Sequence, residues 1–159
     1  MRVVVAGTFG PIHDGHRALF ETALERGDEG VVIALTSDTF ARGKRDRPVP
    51  DFADRRRRVR AELDALDEWG REVEIRAIDD EHGFATTDRS IDAVVVSPET
   101  AGEIAAINEA RRERGLDPVE GVVVPYVRAA DGERISSTRV VRGEIDEHGG
   151  LVDGTGDGE

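Results

Sequence analysis

Apolar residues fall in short runs separated by longer amphipathic stretches. Val3-Val4-Val5-Ala6, Val31-Val32-Ile33-Ala34-Leu35-Thr36, Ile91 to Val96 and Val122 to Val127 are continuous or nearly so. Runs this short and this rich in β-branched residues predict buried strands, because such side chains suit a pleated surface covered on both sides. Val73 to Ile78 alternates apolar and charged positions and predicts another strand. Arg17 to Arg26 brings Phe20, Ala23 and Leu24 together at i, i+3 and i+4, the spacing of one helix face. Gly27 and Gly30 follow as a helix stop. Asp51 to Trp69 predicts a longer helix with Val59, Leu63, Leu66 and Trp69 as its core stripe. Pro98-Glu99 opens a helix that runs to about Arg114 and stops at Gly115. A last helix, about Arg139 to Asp146, follows Ile135-Ser136-Ser137-Thr138. Ser37 to Pro50, with Gly43, Pro48 and Pro50, reads as a mobile loop. Asp79 to Arg89 reads as a second loop, and Asp131-Gly132 as a turn.

Five strands alternating with helices predict an α/β fold: a doubly wound, Rossmann-like five-stranded parallel sheet with helices on both faces. Residues 1–146 read as one domain. Residues 147–159, rich in Gly and Asp, read as a disordered tail. In such sheets ligands bind past the carboxyl ends of the strands where strand order reverses, and the first strand normally borders that point. Thr8 to His16, Ser37 to Lys44, Asp79 to Asp88 and Ser97 to Glu99 are therefore expected to face one crevice.

Composition narrows the function. The 159 residues carry a formal charge of −12 and no cysteine. That balance disfavours nucleic-acid binding, and it rules out disulfides and thiolate metal sites. No run approaches the ~20 apolar residues of a membrane helix. Arg2 leads straight into a strand with no signal-peptide pattern, so the expected compartment is the cytoplasm. Of the 22 basic residues, all but Lys44 are arginine. A Lys-poor acidic surface suits a salty cytoplasm, where screening relieves the self-repulsion. A GC-rich genome favouring Arg codons is the alternative.

Three constellations carry chemistry. First, the strand ending at Gly7 gives way to Thr8-Phe9-Gly10-Pro11-Ile12, then to His13 and His16 at a helix start with Asp14 as N-cap. Gly7 and Gly10 would let the backbone approach a ligand, and the helix end suits a phosphate. The two imidazoles read as phosphate donors, as a metal pair lacking further ligands, or as a helix start with no role. Second, Ser136, Ser137 and Thr138 stand before a helix with Arg139 and Arg142, forming either a second anion site or an ordinary N-cap. Third, the loop with Arg42, Lys44, Arg45 and Arg47 is a basic patch past a strand end, or a solvated loop. Arg55-Arg56-Arg57-Arg58 reads as a solvated helix face from which one member turns inward.

These residues resemble a known superfamily. Gly7-Thr8-Phe9-Gly10-Pro11-Ile12-His13-Asp14-Gly15-His16 resembles the T/HxGH motif of the nucleotidyltransferases. Ile135-Ser136-Ser137-Thr138 resembles the partner motif ISSTxxR, with Val141 where the motif has Arg and with Arg139 and Arg142 flanking it. Thr36-Ser37-Asp38, the Arg42/Lys44 loop, Val94 to Thr100 and Ile107 to Leu116 resemble the archaeal type of phosphopantetheine adenylyltransferase. The resemblance implies transfer of adenylyl from ATP to 4′-phosphopantetheine, giving dephospho-coenzyme A and pyrophosphate, with Mg²⁺ held mainly by ATP phosphates. It implies that Thr8 holds the attacking phosphate, and that His16 and His13 stabilise charge on the transition state. Lys44 or Arg42 would neutralise the reacting phosphates. Gly7, Phe9 and Gly15 would border the ATP, Ser136, Ser137 and Thr138 would hold its β- and γ-phosphates, and Ser97, Pro98, Glu99 and Thr100 would line its adenosine site. Asp80 and His82 would face the acceptor. Asp80-Glu81-His82-Gly83-Phe84 matches the archaeal branch loosely, which leaves nicotinamide mononucleotide or glycerol phosphate as other acceptors, and a non-catalytic nucleotide sensor as a non-enzymatic reading.

Overall fold

The computed structural model describes residues 1–43, 48–80 and 82–152. Five strands form one parallel sheet: β1 (Val3–Gly7), β2 (Val31–Thr36), β3 (Val73–Ile78), β4 (Ala93–Val96) and β5 (Glu120–Val123). The spatial order is β3-β2-β1-β4-β5. Strand order reverses at β1, as expected of a doubly wound sheet, and the crevice opens between β1 and β4.

Alternation along the strands sorts the two faces. Val3, Val5, Ile33, Leu35 and Val95 pack on α1 (Asp14–Arg26) and α3 (Phe52–Leu66) through Phe20, Leu24, Val59 and Leu63. Val4, Val32, Ala34, Val94 and Val96 face the other way, onto a short 3₁₀ turn (Gly83–Thr86) and α4 (Glu103–Glu113), with Ala85 and Ile107 in that core. This second cover is incomplete. Ala6, in the middle of the central strand, is exposed, so the upper part of that face is open to a ligand.

Several boundaries move for identifiable reasons. The long helix stops at Leu66, because the Asp67 carboxylate accepts the backbone N–H groups of Trp69, Gly70 and Arg71 at 2.9, 3.0 and 2.9 Å and turns the chain. Trp69 consequently leaves the core stripe and is 43% exposed. The stretch expected to be loop from Ser37 contains a short helix, α2 (Asp38–Gly43), whose first turn is held by the Ser37 hydroxyl accepting from Phe40 N at 3.2 Å. Residues 98–102 form turns around a Ser97–Thr100 hydrogen bond of 3.2 Å, so α4 begins only at Glu103. Strand β5 ends at Val123; Pro125 has no N–H to continue the ladder. The last helix, α5, spans Ser137–Val141, with Gly143 beyond it at φ 76°.

Residues 147–152, expected to be part of a loose tail, fold back onto the start of α1. Asp14 N donates to Glu147 O at 2.8 Å, the His148 ring meets the Asp14 carboxylate at 3.0 Å, and Leu151 bridges Ile145. Arg17 gathers this region by donating to Asp14, Glu62 and Glu147 at 2.8–3.0 Å. The rest of the expected tail, residues 153–159, lies outside the described residues.

Candidate active site

A cavity of about 510 Å³ opens at the carboxyl ends of the central strands. Gly7, Thr8, Phe9, His13, Gly15 and His16 line it from the β1–α1 loop, Ser97, Glu99 and Thr100 from beyond β4, and Ser136, Ser137 and Thr138 from α5. His82 lines it from the loop after β3. Two ends of the chain thus meet: Ser137 Oγ lies 3.4 Å from the Pro11 carbonyl, to which it donates.

The N-cap of α1 is His13, one residue before the expected Asp14. Its Nδ1 accepts from Gly15 N at 3.0 Å, and its own backbone N donates to His16 Nδ1 at 3.3 Å. A capping box of two imidazoles results, with the rings stacked at 3.8 Å and 18°. With Nδ1 of each ring accepting, the proton of a neutral ring sits on Nε2. Burial, aided by the charge of Arg17, pushes the His13 pKa down to about 4. His13 is therefore neutral at pH 7, and as a donor it offers Nε2–H. Phe9 packs edge-on against His16 at 5.0 Å.

The glycines of this loop make room for side chains, where a close ligand approach was expected. A Cβ at Gly7 would stand 2.7 Å from Phe9 Cζ, and one at Gly15 would stand 2.8 Å from His13 Cε1. A Cβ at Gly10 would meet Arg55 Cδ at 2.9 Å. Phe9 itself holds φ 51°, a left-handed conformation that costs a non-glycine residue on the order of 1 kcal/mol or more.

Other expected site residues are engaged within the fold or fall outside the described residues. Lys44 lies outside the described residues, as do Arg45 and Arg47. Arg42 turns to its own loop, donating to Asp51 Oδ1 at 2.7 Å and to Val49 O at 3.3 Å. The Asp80 carboxylate accepts from Gly83 N and shapes the loop after β3. Neither Asp80, Arg42 nor Pro98 lines the cavity. Ser136 caps its own helix, accepting from Arg139 N at 3.2 Å. Arg139 pairs with Asp131 and Glu144, away from the cavity.

Among the lining residues, Arg134 and Glu103 escaped the sequence reading, and Thr36 entered it only within the Thr36-Ser37-Asp38 match. Arg134 sits one residue before the hydroxyl motif, pairs with Glu99 at 2.6 Å and lies 5.0 Å over the Tyr126 ring. Its position beside Ile135 was the available signal. Glu103 meets His82 Nε2 at 2.5 Å across the cavity mouth. Thr36 lies beside Thr8, with the hydroxyls 2.9 Å apart. The inward member of the arginine quartet is Arg55, which is fully buried. Arg111, also buried, holds the 3₁₀ turn through Ala85 O and Asp88 O at 2.8 and 2.9 Å.

Among the described residues, no group of three or more His, Asp or Glu is placed to hold a metal ion, and no helix is long and apolar enough to cross a membrane. The cavity's polar lining is instead hydroxyls, imidazoles and one arginine, with both carboxylates, Glu99 and Glu103, already paired. That inventory of donors suits a polyanion.

Residues 4–143 match the cytidylyltransferase-like family. The chain is 45% identical over 146 residues to the phosphopantetheine adenylyltransferase of Methanopyrus kandleri, covering 92% of this chain and 91% of that one. It is 40% identical over 152 residues to the enzyme of the same name from Archaeoglobus fulgidus, covering 96% of this chain and 100% of that one. A crystal structure of an Archaeoglobus fulgidus protein described as of unknown function superposes with a TM-score of 0.69 at 35% identity, covering 78% of this chain and 89% of that one. The chain belongs to the cytidylyltransferase-like family and, within it, to the phosphopantetheine adenylyltransferases of archaeal type.

Proposed function

We propose that this chain transfers the adenylyl group of ATP to 4′-phosphopantetheine, releasing pyrophosphate and forming dephospho-coenzyme A. The observation that carries the reading is the convergence of Thr8, His13 and His16 with Ser136, Ser137 and Thr138 on one cavity. A triphosphate needs donors along its length, and an incoming phosphate needs one more beside its α-phosphorus.

The chemistry is a direct displacement. An oxygen of the acceptor phosphate attacks the α-phosphorus, the bond to the β-phosphate bridging oxygen breaks, and pyrophosphate leaves. The protein has little covalent work to do and acts by positioning and by stabilising charge. Thr8 holds the acceptor phosphate. His16, with neutral His13 stacked on it, donates to the developing charge. Ser136, Ser137 and Thr138 take the leaving phosphates, and Arg134 adds charge at the same wall. Ser97, Glu99 and Thr100 border the adenosine. Lys44 is the cation assigned to the reacting phosphates, since Arg42 is engaged with Asp51. The Mg²⁺ that the reaction implies would be held mainly by ATP phosphate oxygens and water and would supply neutralisation of phosphate charge, beside a wall of hydroxyls and imidazoles. The acidic chain and this use of ATP fit a cytoplasmic enzyme without nucleic-acid partners.

The test is pyrophosphate release from the purified chain with ATP, Mg²⁺ and one acceptor at a time. Release with 4′-phosphopantetheine and not with nicotinamide mononucleotide or glycerol phosphate is expected. The opposite pattern overturns the acceptor, and no release with any of them overturns the enzyme in favour of a nucleotide sensor.

A further inference from the structure

Arg55 enters from α3 and reaches beneath the loop that follows β1. Its Nε donates to Pro50 O at 2.8 Å, Nη1 to Thr8 O at 3.1 Å and to Thr36 Oγ1 at 3.3 Å, and Nη2 to Asp38 Oδ1 at 3.0 Å. It has no solvent exposure, and Thr8 and Thr36 are nearly as buried. The two threonines are neighbours because β1 and β2 run in register, with Gly7 opposite Leu35. Their hydroxyls, 2.9 Å apart, stand on the face of the sheet that lines the cavity.

A guanidinium only donates and stays charged, so Thr36 Oγ1 must accept from it. Either hydroxyl can donate in the 2.9 Å contact between Thr36 and Thr8, and the positive charge of Arg55 favours the arrangement in which the Thr36 O–H points away from it, toward Thr8 Oγ1. Once the Thr8 oxygen accepts that proton, its own O–H is directed onward, into the cavity. Each donor in the series Arg55, Thr36, Thr8 polarises the next, and the low local dielectric strengthens the effect. A group that can only accept, such as a dianionic phosphate, completes the series, whereas a group that must donate meets only the remaining Thr8 lone pair, against the polarity of the series.

Resting on the reading of Thr8 as the acceptor-phosphate residue, we infer that Arg55 and Thr36 are positioning residues that orient the Thr8 hydroxyl to donate and so select a phosphate-bearing acceptor. A purely structural role for Arg55, tying the loops after β1 and β2 to α3, would not extend to the Thr36 hydroxyl. The deciding variant is therefore Thr36→Val, which keeps the shape of the side chain and the other contacts of Arg55.

The experiment measures the KM of each substrate, kcat and melting temperature for wild type, Thr36→Val, Thr8→Val and the double variant, with titration calorimetry of 4′-phosphopantetheine into each protein. Thr36→Val is expected to raise the acceptor's KM and Kd about tenfold, as loss of one well-placed hydrogen bond does, and to leave the KM of ATP unchanged. In the Thr8→Val background the same substitution is expected to add nothing, and Thr36→Ser is expected to restore wild-type values. Unchanged acceptor Kd in folded Thr36→Val overturns the inference, as do equal losses for both substrates or additive effects of the two substitutions. Calorimetry reads the relay whether or not turnover occurs, so failure of wild type to release pyrophosphate counts against the function alone.

Discussion

The imidazoles of His13 and His16 lie 3.8 Å apart, nearly parallel, each with Nδ1 taken by a backbone N–H. One pair of side chains thus caps a helix and presents two Nε2–H donors in a fixed array. Of the two, His16 is one turn inside the helix, and its removal spares the cap that His13 makes to Gly15. His16→Ala is expected to lower kcat by about 10²–10³, as loss of a preorganised donor does, with a small change in melting temperature. Steady-state kinetics beside a thermal melt checks it.

His13 links stability to pH. Its folded pKa is about 4, below the model-peptide value of 6.5. Between these values the unfolded chain binds a proton that the folded chain excludes. Stability from this group is intact above pH 6.5 and falls as the pH drops toward 4, by roughly 3 kcal/mol in all. In urea titrations across that window, the gap in stability between wild type and His13→Asn should narrow or invert as the pH falls.

The arginine quartet should split sharply under mutation. Arg55→Ala leaves Thr8 O, Thr36 Oγ1 and Pro50 O without their donor and opens a cavity, so a loss of about 3–5 kcal/mol is expected. Arg56→Ala, on the exposed side of the same helix, is expected within about 0.5 kcal/mol of wild type. Denaturant midpoints distinguish them.

Gly7→Ala places a Cβ 2.7 Å from Phe9 Cζ. The ring must move, and with it the edge-on contact to His16 at 5.0 Å. Activity is expected to fall by about 10-fold or more, while the overall fold, followed by circular dichroism, persists.

The charge of −12 makes a further test simple. If the surface is adapted to salt, the urea midpoint rises between dilute buffer and molar KCl, because screening relieves repulsion among the surplus carboxylates. A flat response assigns the acidity to codon bias.

What could be read from the chain follows from which forces are local. β2 and β3 have the boundaries that their patterns indicate, β2 because an apolar β-branched run reports burial directly and β3 because its apolar–charged alternation has the period of a strand. The ends of α3 and α4 did not, since an Asp67 side chain and a Ser97–Thr100 bond, both local competitors of helix, decide them. The cavity lining contributed by motifs, Thr8, Phe9, His13, Gly15, His16 and Ser136 to Thr138, was legible at the level of sequence. Arg134 and Glu103 were not, and Thr36 was legible only as part of a motif, because their significance arises only when β1, β2, α4 and the last loop meet in space. The buried state of Arg55 was visible only as one chance in four.

The contact between Ser137 and Pro11, 126 positions apart, has a consequence for the chain as it is made. Closing so long a loop is entropically slow and must await synthesis of the last helix. A nascent chain ending before residue 136 has the His pair but lacks Ser136, Ser137 and Thr138 from the cavity wall. On the proposed function, nucleotide would therefore stabilise the finished fold by mass action and offer an incomplete one little help.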